Sequence, residues 1–252
     1  MSSGWLARVW SLRVTLGYAL LVGAVSWAMV QMTPGVQAAV IRHASTNLHN
    51  LGHGRIGTLL GSAFVADAGP VYLWLPGLMC LLAAVELAWG SLRAVISIVA
   101  GHVGASLIVA AGLVAALRWG WVAPAVVHAS DVGISYVAMA ALGALTAAVP
   151  RRWRAAWTGW WVAAAIMVVA SGPDFTDVGH VVALTLGMAV SARFGHSRPW
   201  TVPRVVVSVL GAAFGFMVLT EGAAMPFTAA WGVLGAVAGL GLLRPRARSV
   251  SG

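Results

Sequence analysis

Charge is what this chain has little of. Only 8% of its 252 residues are Asp, Glu, Lys or Arg, where a soluble domain carries about a quarter. Lysine is absent, so all fifteen basic residues are arginine, and there are just six acids. That scarcity excludes an ordinary soluble globular domain. The one cysteine, Cys80, excludes an internal disulfide and leaves the redox compartment unreadable. Heptads, internal repeats and low-complexity tracts are also missing, which removes coiled coils and solenoids.

What is present is apolar. Hydrophobic residues make up 60% of the chain, the mean hydropathy is +0.91, and apolar stretches recur along the whole length. One polytopic membrane domain follows. Backbone groups in lipid must bond internally, so the choice is helices or a closed barrel. Continuous Ala/Val/Leu/Gly runs without period-2 alternation favour an all-α polytopic membrane protein.

Eight spans are expected, over Leu12–Met32, Val71–Trp89, Ala94–Leu117, Val132–Val149, Ala156–Ala170, Val178–Ala192, Pro203–Leu219 and Phe227–Leu243. The first follows Arg8 and Arg13 and precedes a weak cleavage-like Val36-Gln37-Ala38. It is longer than a signal-peptide core, so a retained helix is expected.

With the N-terminus inside, twelve arginines fall on the inner side: Arg8, Arg13, Arg93, Arg151, Arg152, Arg154, Arg193, Arg198, Arg204, Arg244, Arg246 and Arg248. Only Arg42, Arg55 and Arg118 fall outside. Under the positive-inside rule this split predicts both termini in the cytoplasm of a multi-pass cell-membrane protein. Asp67, Asp131, Asp174, Asp177 and Glu221 fall outside. The net charge of +9 is then a topology signal, and no nucleic-acid partner is implied. Most of the thirteen tryptophans, such as Trp119, Trp121, Trp153, Trp157 and Trp200, sit near span ends as interfacial anchors.

The first outer loop, residues 33–70, has a partly amphipathic pattern in Val36, Val40, Leu48, Leu51 and Ile56, which predicts helix lying in the interface. His49 and His53 are spaced i, i+4, but no carboxylate or cysteine completes a ligand set. Neither a metal nor another cofactor is expected.

Chemistry concentrates at two span starts. Ser135 opens the fourth span and His180 the sixth, both at the outer side and at similar depth. An imidazole that reaches a serine hydroxyl can take its proton and make it a nucleophile. Asp131 and Asp177, one turn before each, are auxiliary candidates to orient the imidazole or hold water. His128, three residues before Asp131, is a loop candidate for a proton or substrate contact. His102 on the third span reads as a structural hydrogen bonder nearer the inner side or midplane. Small residues Ala183, Gly187 and Ser191 on one helix, and Gly133, Ala140, Gly143 and Ala144 on the other, permit close approach.

These features, in this order, resemble the rhomboid intramembrane proteases and their divergent actinobacterial relatives, over roughly residues 55–192. Gly133-Ile134-Ser135 with the later Gly143 is similar to the nucleophile segment. Gly179-His180 with Gly187-Met188 is similar to the segment bearing the catalytic histidine. Glu86 matches a structural glutamate. The chain departs from the pattern at Tyr136, where the family has glycine, and at Ala183. It departs again at Pro70–Trp74, where the family's His-x-x-x-Asn oxyanion motif would stand.

The resemblance implies a six-helix rhomboid-like core over 12–192, after a cytoplasmic N-terminus of residues 1–11. Residues 193–252 add a transmembrane hairpin and a basic cytoplasmic tail. It also implies a Ser135–His180 dyad cleaving transmembrane substrates. The alternative is a rhomboid-like pseudoprotease that binds transmembrane clients without cutting them. A metal-dependent hydrolase using His128, Asp131 and His180 lacks a zinc-motif spacing. A transporter lacks midplane charges and broken helices.

Overall fold

A computed structural model describes residues 9–66, 71–172, 174–220 and 225–242. Among them there are helices and no strand. The first apolar run forms α1 (Arg13–Val30). The outer loop is not one interfacial helix but several short ones: α2 (Pro34–Ala44), α3 (Leu48–Gly52), α4 (Thr58–Gly61) and a 3-10 turn, Ser62–Phe64. Polar Ser45, Thr46 and Asn47 break the apolar period here, and Asn47 caps α3 by accepting from the Asn50 N–H at 2.9 Å.

The remaining runs form α5 (Val71–Trp89), α6 (Ser91–Arg118), α7 (Ser135–Leu145), α8 (Arg151–Ala170), α9 (Phe175–Ser191), α10 (Val202–Leu219) and α11 (Met225–Leu242). Each of the eight expected spans is therefore a helix. Five of them, α1, α5, α6, α10 and α11, are long and apolar enough to cross a membrane. Gly90 reverses the chain between α5 and α6 at φ +82°, a backbone conformation that suits glycine.

α7 is the centre of the molecule. Every residue from Tyr136 to Leu145 is buried, against α5, α6, α9 and α10. A helix apolar on all sides must be enclosed on all sides. It is also shorter than its expected span of 132–149. Eleven residues rise only about 16 Å, roughly half a hydrocarbon core.

Glu86 shows how the frame is tied. Its side chain is fully buried, yet it accepts from the Val14 N–H (3.0 Å), the Thr15 N–H (2.8 Å), the Thr15 hydroxyl (2.8 Å) and the Ser91 hydroxyl (2.7 Å). The first N–H groups of α1 have no partner within their own helix, so a carboxylate from α5 caps them. The structural role expected of Glu86 thus has a geometry.

α10 and α11 do not form a hairpin packed on itself. α10 lies along α5, and α11 lies along α8. Glycines permit both approaches: a Cβ on Gly211 would strike the Leu81 backbone, and one on Gly235 the Gly159 carbonyl.

Candidate active site

Ser135 is the first residue of α7, after Ile134 as N-cap and with no side-chain cap. The first intrahelical bond runs from the Ala138 N–H to the Ile134 carbonyl, 2.9 Å. The N–H groups of Ser135, Tyr136 and Val137 precede that bond and have no partner in their own helix. Gly133, at φ +132°, turns the chain into the helix.

The outer loop holds this entry in place. The Thr46 N–H donates to the Asp131 carbonyl (2.9 Å), and the Gly133 N–H to the Ser62 carbonyl (3.0 Å). The Asp131 N–H donates to the Ser45 hydroxyl (2.7 Å). Ser62 in turn receives the Thr46 hydroxyl at 2.8 Å and lies 3.1 Å from His102 Nε2. His102 is a buried hydrogen bonder, and its ring lies 6.1 Å from that of Tyr136.

His180 comes from α9. Asp174 caps that helix, accepting from the Thr176 and Asp177 N–H groups at 2.8 and 2.9 Å, while the Asp177 carboxylate accepts from the Asp174 N–H at 3.3 Å. The small-residue faces of α7 and α9 do touch. A Cβ on Gly187 would collide with the Ala140 carbonyl, and one on Gly143 with the Leu184 carbonyl. This contact brings Ser135 and His180 into the wall of one pocket of about 470 Å³, with Trp74, Thr176, Phe214 and Met217.

His180 is 2% exposed. Among the described residues neither of its ring nitrogens has a hydrogen-bond partner. Ser135 and His180 thus share a pocket without a hydrogen bond between them, and neither Asp131 nor Asp177 orients the imidazole. The Tyr136 ring instead packs edge-on to it, with centroids 5.7 Å apart. Tyr136 also covers Gly179, where a Cβ would strike its ring.

The auxiliary candidates lie around this pocket rather than in it, apart from Gly133, which lines it. Asp131 sits above, and burial pushes its carboxyl up to about 6. The Tyr136 hydroxyl faces that carboxyl and offsets part of the effect, short of full hydrogen-bond geometry. His128 is at the surface against His49, ring centroids 4.6 Å apart, and His49 is 4.2 Å from His53. Desolvation and the charges of His53, His128 and Arg55 lower the His49 pKa. Among the described residues no group of His, Cys, Asp or Glu is arranged to hold a metal.

Several pocket residues carry no local sequence signal. Trp74 lines the pocket from the segment where the oxyanion motif would stand, and Phe214 and Met217 line it from α10. Ser45 and Ser62 act through backbone contacts that join segments 71 to 86 residues apart. A polar cluster at Ser45-Thr46-Asn47 was the one available hint.

Neither a curated protein nor a solved structure matches the chain. A family model described as rhomboid-like protein matches residues 13–199, which takes in α1 to α9 with Ser135 and His180. The chain is a multi-pass membrane protein and belongs to the rhomboid-like protein family.

Proposed function

We propose that the protein is an intramembrane serine endopeptidase of the cell membrane, with both termini cytoplasmic. The observation that carries the reading is the pocket lined by both Ser135 and His180 at the N-terminus of α7. Ser135 Oγ attacks a peptide carbonyl of an unwound transmembrane segment while its proton passes to His180. The carbonyl oxygen becomes an oxyanion beside the α7 N-terminus, whose unbonded N–H groups and positive dipole end suit a developing negative charge. Collapse breaks the C–N bond, and His180 returns the proton to the leaving amine. Water then repeats the sequence on the acyl-serine, releasing the new carboxyl end and restoring Ser135.

Phe214 and Met217 make the α10 side of the pocket apolar, which fits a side chain from a transmembrane substrate.

A second reading, client binding without cleavage, is favoured by the Tyr136–His180 packing and by the missing Ser135–His180 hydrogen bond. The experiment that separates the two places a photo-crosslinking residue at Met217 in living membranes, in wild type and in Ser135→Ala. Proteolysis gives full-length transmembrane proteins on the alanine variant and their cut fragments on the wild type. Full-length clients on both would support the pseudoprotease.

A further inference from the structure

A second site lies between α8 and α10, beside the arginine-rich start of α8. Two cavities of about 480 and 500 Å³ share Trp153, Trp157 and Ala212, so they form one groove between α8 and α10. It runs from Trp160 to Arg152 and Trp200. The groove exists because α8 and α10 pair with other helices, α11 and α5 respectively. Where α8 and α10 do meet, the Trp160 and Phe216 rings lie 5.9 Å apart, and Ala236 of α11 completes the lining.

Among the described residues the mouth is cationic, with Arg152 and no Asp or Glu in its lining. The oxygens of Glu86, on α5, are taken by α1 and Ser91. Arg154 is committed to the Ala147 and Val149 carbonyls, at 2.6 and 3.1 Å. Arg151 and Arg152 are exposed, and the Arg152 guanidinium lies 6.0 Å over the Trp153 ring. An apolar slot about as deep as the Trp153–Trp160 helix segment, capped by unmatched guanidinium groups, has the chemistry of one acyl chain under a phosphate. Basic pockets between transmembrane helices favour anionic headgroups on this ground, and arginine suits phosphate through its bidentate fork.

We infer that the α8–α10 groove is a binding site for an anionic phospholipid, its acyl chain against Trp153, Trp157 and Trp160 and its phosphate on Arg152, with the neighbouring exposed Arg151 adding positive charge. The site is independent of whether Ser135 is a nucleophile. It gives this face of the molecule a lipid partner of defined charge.

The test uses the full chain in phosphatidylcholine nanodiscs containing a minor fraction of tail-brominated phosphatidylglycerol or, separately, tail-brominated phosphatidylcholine. The groove tryptophans are the reporters. The expected result is stronger quenching by the brominated anionic lipid at equal fraction. That excess should shrink roughly five-fold per arginine removed in Arg151→Gln and Arg152→Gln, and fall in Ala212→Leu, which narrows the slot. Equal quenching by the two lipids in wild type overturns the inference and needs no variant. An excess untouched by all three substitutions also overturns it. So does weak quenching by both lipids that depends on protein density, which would put a second copy in the groove.

Discussion

At the scale of the residue, Ser135 and His180 were legible because polar side chains at matched depth in apolar helices stand out. Trp74, Phe214 and Met217 were not, because an apolar residue facing a pocket looks the same in sequence as one facing lipid. Asp131 was legible as a neighbour of Ser135 but not as a carboxyl held by the outer loop. Its raised pKa has a sign that can be tested. Burial favours the neutral acid, so the folded state keeps this contribution below the ordinary value of 3.8 and loses it as pH rises through about 6. Asp131→Asn has the same shape and never ionises, and the backbone bonds to Ser45 and Thr46 do not involve the side chain. It is expected to raise the thermal midpoint at pH 7 and to match wild type near pH 4, as followed by detergent-solubilised unfolding.

At the scale of the element, the eight helices follow from composition alone, since lipid forces each apolar run to satisfy its own backbone. The length of α7 did not follow. Its expected span of 132–149 counted apolar residues, while the helix begins only where the outer loop stops bonding the chain, after Gly133. The α7–α9 contact is the element-scale feature on which the site depends. Gly187→Val would press a side chain onto the Ala140 carbonyl and the Ala144 backbone, neither of which can move without parting the helices. A destabilisation of about 1–3 kcal/mol is expected, with a lower thermal midpoint. Gly112→Ala, on the open side of α6 with nothing near its Cβ position, is expected to leave the midpoint unchanged or slightly raised.

At the scale of the whole molecule, the family match ends at residue 199, but the functional unit does not. α10 contributes Phe214 and Met217 to the Ser135 pocket and one wall of the arginine-capped groove. Sequence pattern could place two more spans after the core, but not their partners, because small-residue faces on α5, α8, α10 and α11 are mutually compatible. The pairing of α10 with α5 and α11 with α8 is a tertiary choice. It brings α10 to the wall of the Ser135 pocket and leaves α11 outside it.

The proposed activity requires that His180 activates Ser135 inside the pocket. The direct measurement is the rate of fluorophosphonate labelling of the full chain in bilayers, with the modified residue identified by peptide mass. Wild type is expected to label at Ser135, and equally well-folded Ser135→Ala and His180→Ala to label at least about 100-fold more slowly. A folded wild type that does not label, or a His180→Ala variant that labels at the wild-type rate, would contradict the claim.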